Sequence, residues 1–204
     1  NQKNKDFFFI DSNSNNFQKD ILDLVKNRLP NYYKLDPIND IQILAPSKKS
    51  SWGVLNLNNV LQENLNKNSK FFKINNRIFK LKDKVMQVRN NYDLESMDPS
   101  NFDDGVYNGD IGRIIELDKE RESLKIEFYD GNIVSYKKED IKDLDLSYAI
   151  TIHKSQGSEF DCVVIPMMPT SFMLLNRNLL YTAITRAKKL VILIGEKRIL
   201  KQMV

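Results

Sequence analysis

The stretch AITIHKSQGSEFDCVVI, residues 149–165, places a polar segment between two apolar runs. The first run leads into Thr151, His153, Gly157 and Glu159, at the position where open α/β sheets bind ligands, the carboxyl end of a strand. Threonine and histidine suit a phosphate or a sugar, glycine lets backbone approach a phosphate, and glutamate accepts hydrogen bonds from ribose hydroxyls. The pattern indicates either a nucleotide or nucleic-acid site or an ordinary polar loop between strands.

The other apolar runs of the chain are also strand-sized and nearly continuous. Continuous runs are typical of strands that are buried on both faces of a parallel sheet. Apolar spacing predicts intervening helices, the first of them capped by Ser14/Asn15 and stopped by Pro30. The sequence therefore predicts a doubly wound α/β fold with helices on both faces of a parallel sheet. The predicted strands are 7–10, 41–45, 144–151, 162–166 and 190–194, and the predicted helices are 17–29, 54–65 and 174–187.

Residues 81–145 have a different pattern, with short strand-like runs at 85–88, 111–117, 124–128 and 133–136. The pair Asp130-Gly131 predicts a hairpin with a two-residue turn. Asn108-Gly109 is either another turn or a DNA contact through exposed backbone amides. We therefore expect a small antiparallel β-barrel at 81–145, inserted into an α/β domain made of 1–80 and 146–204. Its loop 91–104 is polar and acidic and is expected to be mobile.

Composition excludes several classes of protein. No run approaches the roughly 18 apolar residues of a membrane span, and the single cysteine of the 204-residue chain excludes an intrachain disulfide or a thiolate cluster. The chain starts without methionine or a signal peptide, so we expect a piece of a longer protein. The lone cysteine fits a reducing compartment, so we expect that protein to be cytoplasmic. A net charge of +4 favours a polyanionic partner only weakly.

The glycines exclude a phosphate-binding loop of the usual kind. Such a loop requires glycine followed by lysine and a hydroxyl residue at the start of a helix. None of the seven glycines precedes a lysine, and no strand-like run ends in Asp-Glu, which could hold Mg²⁺. The chain alone is therefore not expected to bind a nucleotide in the usual way.

A second stretch, LLYTAITRAKKLVIL at 179–193, carries Arg186 near the end of a predicted helix. Arginine at this position is either a bidentate phosphate contact or a cation that interacts favourably with the helix dipole. Its own sequence context leaves both alternatives open.

Together the two stretches closely resemble motifs V and VI of superfamily 1 DNA helicases, in the RecD-type branch. The segment DIQILAPSKKSSWGVLNLNNVLQENLN, residues 40–66, is similar to the motif IV region of that branch. KLKDKVMQVRNNYD at 80–93 and GVYNGDIGRIIELD at 105–118 are similar to its inserted SH3-like 2B domain. The resemblance covers nearly the whole chain.

This resemblance implies a second RecA-like domain (2A) with a 2B insertion, from a helicase that moves 5′ to 3′ on single-stranded DNA. ATP and Mg²⁺ would be held mainly by an N-terminal RecA-like domain of the same chain, and additional helicase–nuclease subunits are possible partners in a bacterial-type cytoplasm. Arg186 matches the arginine finger. The resemblance assigns Gly157, Ser158, Glu159 and Lys48 to ATP, and Thr151, His153, Lys154 and Asn108 to DNA.

Four residues keep alternatives open. Lys48 stands where related helicases often have an arginine, so it is a γ-phosphate sensor, a DNA-phosphate contact or a solvated lysine. Trp52 either stacks on a base or packs at a helix start. Tyr92 either stacks on DNA or lies free, and Cys162 is expected to fill a buried strand.

A second class of function also fits the sequence. The chain could be a binding module that grips single-stranded nucleic acid or a protein through the barrel, without ATPase activity. A stand-alone enzyme of another kind has little support, because one histidine and one cysteine leave no triad or metal cluster.

Overall fold

The computed structural model describes residues 6–74, 77–97 and 105–203. Part of the predicted acidic loop, residues 98–104, lies outside these described residues. The chain divides into two compact units, which are described separately: residues 1–65 with 148–204, and residues 66–147. In the described part of the chain, no helix is long and apolar enough to cross a bilayer.

The elements follow one another in an order that alternates strands and helices at both ends of the chain. The strands are β1 (Phe7–Asp11), β2 (Ile41–Ala45), β3 (Phe71–Ile74), β4 (Arg77–Lys80), β5 (Lys84–Gln87), β6 (Ile111–Asp118), β7 (Ser123–Phe128), β8 (Ile133–Tyr136), β9 (Leu144–Leu146), β10 (Ala149–Thr151), β11 (Phe160–Met167) and β12 (Ala187–Gly195). The α-helices are α1 (Phe17–Asp23), α2 (Leu29–Tyr33), α3 (Val54–Leu65), α4 (Arg177–Ile184) and α5 (Lys197–Met203).

The first unit is built on a parallel sheet with the strand order β1-β12-β11-β2-β10. All of β2 is buried, and so is β11 from Cys162 onward. Because successive side chains of a strand point to opposite faces, this burial shows that both faces are covered. The doubly wound α/β prediction is confirmed.

The first helical region does not stop at Pro30, as the sequence suggested. It runs from α1 through a π-helical segment, Leu24–Arg28, into α2, and ends where Lys34 adopts a left-handed conformation. Pro30 is the second residue of α2 and follows directly after the π-helical segment. The predicted cap is also displaced, because the side chain of Asn13 accepts the amides of Asn15 and Asn16.

Two predicted elements have different bounds in the structure. The single strand predicted at 144–151 is divided: β9 pairs with β5 antiparallel, whereas β10 pairs with β2 parallel. The break falls at the boundary between the units, so one apolar run serves two sheets. The helix predicted at 174–187 is shorter, since Ala187 already belongs to β12.

The second unit contains an antiparallel sheet with the order β8-β7-β6-β5-β9 and the hairpin β3-β4. The predicted barrel strands are therefore present. The unit starts earlier than the predicted residue 81, because Phe72, Ile74 and Phe79 are buried in the same core as Val85 and Ile114. The β7-β8 hairpin has a three-residue loop rather than two, since Phe128 N–H bonds Asn132 across residues 129–131.

Cys162 provides a test of the fold. It is fully buried in β11, and burial together with Asp161 and Asp40 raises the pKa of its thiol to about 12. We expect the native thiol to be inert to a thiol reagent at neutral pH, because both access and thiolate are lacking. A colorimetric thiol titration should detect one thiol per chain in denaturant and almost none without it. Rapid labelling of the native chain would contradict the burial.

Candidate functional site

The parallel register separates the predicted site residues into two groups. Thr151 pairs with Ala45 at the carboxyl end of β2. Phe160 pairs with Ala187 and lies two residues before Cys162, which pairs with the first residue of β2. The segment from Thr151 to Phe160 therefore begins at the carboxyl edge of the sheet and ends at the amino edge, rather than lying wholly at the carboxyl edge as expected.

At the carboxyl edge, Thr151 starts a short 3₁₀ helix, Ile152–Ser155. The Thr151 hydroxyl oxygen accepts the amide of Lys154 at 3.3 Å, and buried Ser155 donates its hydroxyl to the Ile152 carbonyl at 2.7 Å. These two hydrogen bonds, both within residues 151–155, stabilise the turn. His153 is left exposed on its outer side, and Lys154 is half-buried.

The strand that leads into this turn is held by a buried asparagine of α3. Asn58 Nδ2 donates to the Ala149 carbonyl at 2.9 Å, and Asn58 Oδ1 accepts the Ala149 amide at 2.8 Å. An asparagine side chain presents a donor and an acceptor side by side, as a neighbouring strand would. Asn58 thus satisfies the backbone hydrogen-bonding groups of Ala149 on the outer side of β10, the last strand in the sheet order. It thereby fixes the backbone that leads to Thr151.

The amino edge contains Arg186, in the turn between α4 and β12. Its carbonyl accepts the amide of Phe160 at 2.8 Å. Its half-buried guanidinium donates from Nη1 to the Ser158 carbonyl at 3.4 Å, from Nε to the Thr182 carbonyl at 3.3 Å, and from Nη2 to Thr185 Oγ1 at 3.4 Å. All three acceptors are neutral, so they orient the cation without neutralising its charge.

Gly157 and Glu159 flank Ser158 on the way to this edge. Gly157 has φ +86°, which L side chains rarely adopt, and nothing lies within 4 Å of where its Cβ would be. Glu159 is largely exposed, and its carboxylate is 4.0 Å from Lys188 Nζ, a loose surface pair. The structure therefore brings Ser158 and Arg186 into contact and leaves the Glu159 carboxylate accessible beside them.

Lys48 is not brought to Arg186. It follows the carboxyl end of β2, and this end of the sheet is the one that holds Thr151. The sequence grouped Lys48 with the ATP residues because of its place in the motif, but strand direction puts the two cations at opposite ends of the sheet.

The side chains of Trp52 and Tyr92 both pack against other aromatic rings of the chain and form hydrogen bonds. Trp52 donates its indole N–H to the Pro169 carbonyl at 2.9 Å and packs edge to face on Phe17, so its packing role is confirmed. Tyr92 packs edge to face on Tyr107, and its hydroxyl accepts from Asn90, yet its side chain is 64% exposed.

Asn108 and Gly109 form the predicted turn. The amide of Asn108 donates to Asn90 Oδ1 and that of Gly109 donates to the Gln87 carbonyl, each at 2.9 Å. Both amides are engaged within the unit, which leaves the exposed Asn108 side chain as the group available to a partner.

The structure also shows a feature that the sequence did not indicate. A cavity of about 330 Å³ lies between the 3₁₀ helix and α4. Its lining residues are His153, Gln156, Met173, Leu174, Asn176, Asn178, Leu179 and Thr182. The sequence did not indicate that these residues line one cavity, because only the fold brings the two segments together.

The chain is similar to domains of known DNA helicases. Residues 146–194 match the UvrD-like helicase C-terminal domain, and residues 57–128 match the SH3 domain of ATP-dependent RecD-like DNA helicases. The Bacteroides Pif1 helicase, solved in complex with ADP-AlF3 and ssDNA, has the same fold, with a TM-score of 0.57 at 22% identity over 91% of this chain and 47% of that chain.

Two curated relatives extend the match across most of the chain. The ATP-dependent RecD2 DNA helicase of Deinococcus radiodurans is 32% identical over 148 residues, which are 72% of this chain and 19% of that protein. The RecBCD enzyme subunit RecD of Buchnera aphidicola subsp. Schizaphis graminum is 31% identical over 163 residues, 78% of this chain and 25% of that protein. The chain thus spans a fifth to a quarter of these relatives.

The parallel sheet and the match to the UvrD-like helicase C-terminal domain identify the class of protein as a superfamily 1 DNA helicase. Within that class, the SH3-like second unit and the RecD relatives identify the chain as the counterpart of the C-terminal region of RecD-type helicases.

Asn58 provides a test of how the site is held. Asn58→Leu keeps the side-chain size but leaves the Ala149 amide and carbonyl without these partners, so we expect a loss of about 2–4 kcal/mol in the free energy of unfolding. Urea denaturation followed by the fluorescence of Trp52, the single tryptophan, measures it. Asn59→Leu, at an exposed position on the same helix, is the matched control. Equal stability of the two variants would show that Asn58 does not hold β10.

Proposed function

We propose that the chain is the second motor domain of an ATP-dependent DNA helicase that moves 5′ to 3′ along single-stranded DNA. The observation that carries this proposal is Arg186, a half-buried cation oriented by neutral oxygens at the amino edge of the sheet. An N-terminal RecA-like domain of the same chain would supply the rest of the ATP site.

The geometry around Arg186 suits an arginine finger. A guanidinium that is already oriented loses little freedom when it reaches a phosphate, and its planar donors can contact two phosphate oxygens at once. Because its acceptors are uncharged, moving the cation onto a phosphate breaks no ion pair with them. Fingers supplied across an interface contribute roughly 10³ to 10⁵ in rate. In this proposal Gly157, Ser158 and Glu159 contact the nucleotide beside Arg186.

Single-stranded DNA is proposed to bind at the carboxyl edge, through Thr151, His153 and Lys154, with Asn108 as a contact from the second unit. The distribution of charge supports DNA binding by the first unit. Residues 66–147 carry 15 Lys and Arg against 17 Asp and Glu, whereas the rest of the chain carries 16 against 10. The excess of positive charge therefore belongs to the α/β unit.

Lys48 is better assigned to DNA than to ATP. Its position after the carboxyl end of β2, together with Thr151, supports a contact with a DNA phosphate, for which a flexible ammonium is well suited. In that assignment Lys48 does not share the γ-phosphate with Arg186.

The residues of the amino edge fit the phosphates and the ribose of ATP, since a guanidinium donates to phosphate oxygens and an accessible carboxylate accepts from ribose hydroxyls. The described residues include no group of three or more His, Cys, Asp or Glu that could hold a metal ion. By the family resemblance, ligands for Mg²⁺ would come mainly from the N-terminal domain. Magnesium would neutralise charge on the phosphates, while Arg186 and Glu159 orient them and the sugar.

The full-length protein would act in a bacterial-type cytoplasm, with additional helicase–nuclease subunits as possible partners. This expectation is supported by RecD relatives that are named as subunits of the RecBCD enzyme.

A second candidate function is a binding module that acts through the second unit. The exposed, edge-to-face pair of Tyr92 and Tyr107 favours it, because such rings can stack on bases or contact a peptide. If the pair grips DNA, Tyr92→Ala should weaken oligonucleotide binding severalfold in a fluorescence anisotropy titration, with Tyr129→Ala, also exposed in this unit, as the control. Equal affinities of the two variants would show that this pair does not bind DNA.

The chain alone should not turn over ATP, because it contributes only one side of the proposed site. A coupled steady-state ATPase assay with single-stranded DNA present measures this. Turnover that copurifies with the chain through several columns would contradict the shared-site proposal.

In the full-length protein, Arg186→Ala should lower kcat about 10³-fold or more while ATP binding is largely kept, since the finger acts mainly in the transition state. Arg186→Lys should restore little, because lysine lacks the planar fork. Arg121→Ala, at an exposed arginine of the second unit, is the control. A near-normal kcat for Arg186→Ala would remove its catalytic role.

A further inference from the structure

The cavity between the 3₁₀ helix and α4 is lined by both apolar and polar residues. Its apolar lining residues are Leu174, the buried Leu179 and Met173, which is 84% exposed. The volume of about 330 Å³ is at the lower end of the roughly 300–1,000 Å³ typical of small-molecule sites. A group the size of a single ring system is therefore small enough to fit.

The polar lining residues divide into two kinds. Asn176 and Thr182 are used by the protein itself, because Asn176 caps α4 at the amide of Leu179 and Thr182 donates to the Asn178 carbonyl. The side chains of His153, Gln156 and Asn178 are exposed and make no such bond. Two amides and one imidazole thus face the cavity with their donors and acceptors available.

Among the described residues, those that line the cavity include no lysine, arginine, aspartate or glutamate. An anionic phosphate would be expected to have a cation as partner, whereas a neutral heterocycle requires apolar contact with its faces and hydrogen bonds at its edge. The thioether of Met173 is well suited to contact an aromatic face. The chemistry of the cavity matches a nucleobase rather than a phosphate.

From this geometry we infer that the cavity receives one nucleobase of the bound single strand, with Asn178 and Gln156 bonding the edge of the base and Met173 covering its face. The inference rests on the proposed binding of single-stranded DNA at the carboxyl edge. His153 lines the cavity and belongs to the same 3₁₀ helix as Lys154, so a base in the cavity would have its phosphate next to that helix.

The two amides also determine how selective the cavity is. A primary amide offers a donor on one side and an acceptor on the other, and rotation exchanges them. Asn178 and Gln156 can therefore pair with the different edges that the bases present. The cavity requires a base for binding, but it accepts any of the four bases. A domain that moves along DNA requires this tolerance of sequence.

The test compares two oligonucleotides of equal length, an oligothymidylate and the same backbone made of abasic sites. Affinities for the full-length protein are measured by fluorescence anisotropy at fixed salt. The wild type should bind the oligothymidylate more tightly. Asn178→Ala and Gln156→Ala should each weaken that binding about three- to tenfold, as expected for one lost hydrogen bond, and leave binding of the abasic strand unchanged.

Asn59→Ala, at an exposed asparagine on α3 away from the cavity, is the matched control and should change neither affinity. Equal weakening of both oligonucleotides by Asn178→Ala would indicate a backbone contact and overturn the inference, as would no change at all. If wild type binds neither oligonucleotide, the proposed DNA-binding function itself fails. Unchanged thermal unfolding of the variants shows that lost affinity is not lost folding.

Discussion

The pair of hydrogen bonds between Asn58 and Ala149 is the interaction on which the site depends most. The strand β10 has three residues, too few to hold its own position at the edge of a sheet, and its far side would otherwise present backbone groups without partners. Asn58, itself fixed in α3, replaces the missing neighbour. Because Asn58 makes the hydrogen bonds that a neighbouring strand would make, it sets the direction in which the chain leaves β10. That direction in turn sets the positions of Thr151 and His153.

Much of the fold was predictable from residue pattern. Apolar runs such as 41–45 and 162–166 are strands because a continuous run of that length has to be buried on both faces, and residues 54–65 form a helix because their apolar residues share one face. The run 144–151 was misread as a single strand, because hydrophobicity does not show that a chain changes sheets partway along. The turn at 129–131 was missed by one residue, since turn pairs indicate a reversal but not its length.

The candidate site was predictable only in part. Residue types pointed to Arg186 and to the segment from Thr151 to Glu159, and family resemblance divided them between ATP and DNA. That Lys48 lies at the opposite end of the sheet from Arg186 depends on strand direction and register, which are properties of pairing and not of local sequence. The cavity was not predictable at all, because His153 and Asn178 are neighbours through the packing of α4 against the 3₁₀ helix.

The connection between β10 and β11 has a mechanical consequence. Eight residues, 152–159, carry the chain from the level of Ala45 to a level two residues before Ile41. At roughly 3.3 Å per residue level this is about 20 Å along the strands, and the nine Cα–Cα steps from Thr151 to Phe160 reach at most about 32 Å when fully extended. Four of the eight are coiled into the 3₁₀ helix, which shortens the reach further. The segment has little excess length for the distance it spans. A displacement of the chain at one edge of the sheet is therefore transmitted to the other edge.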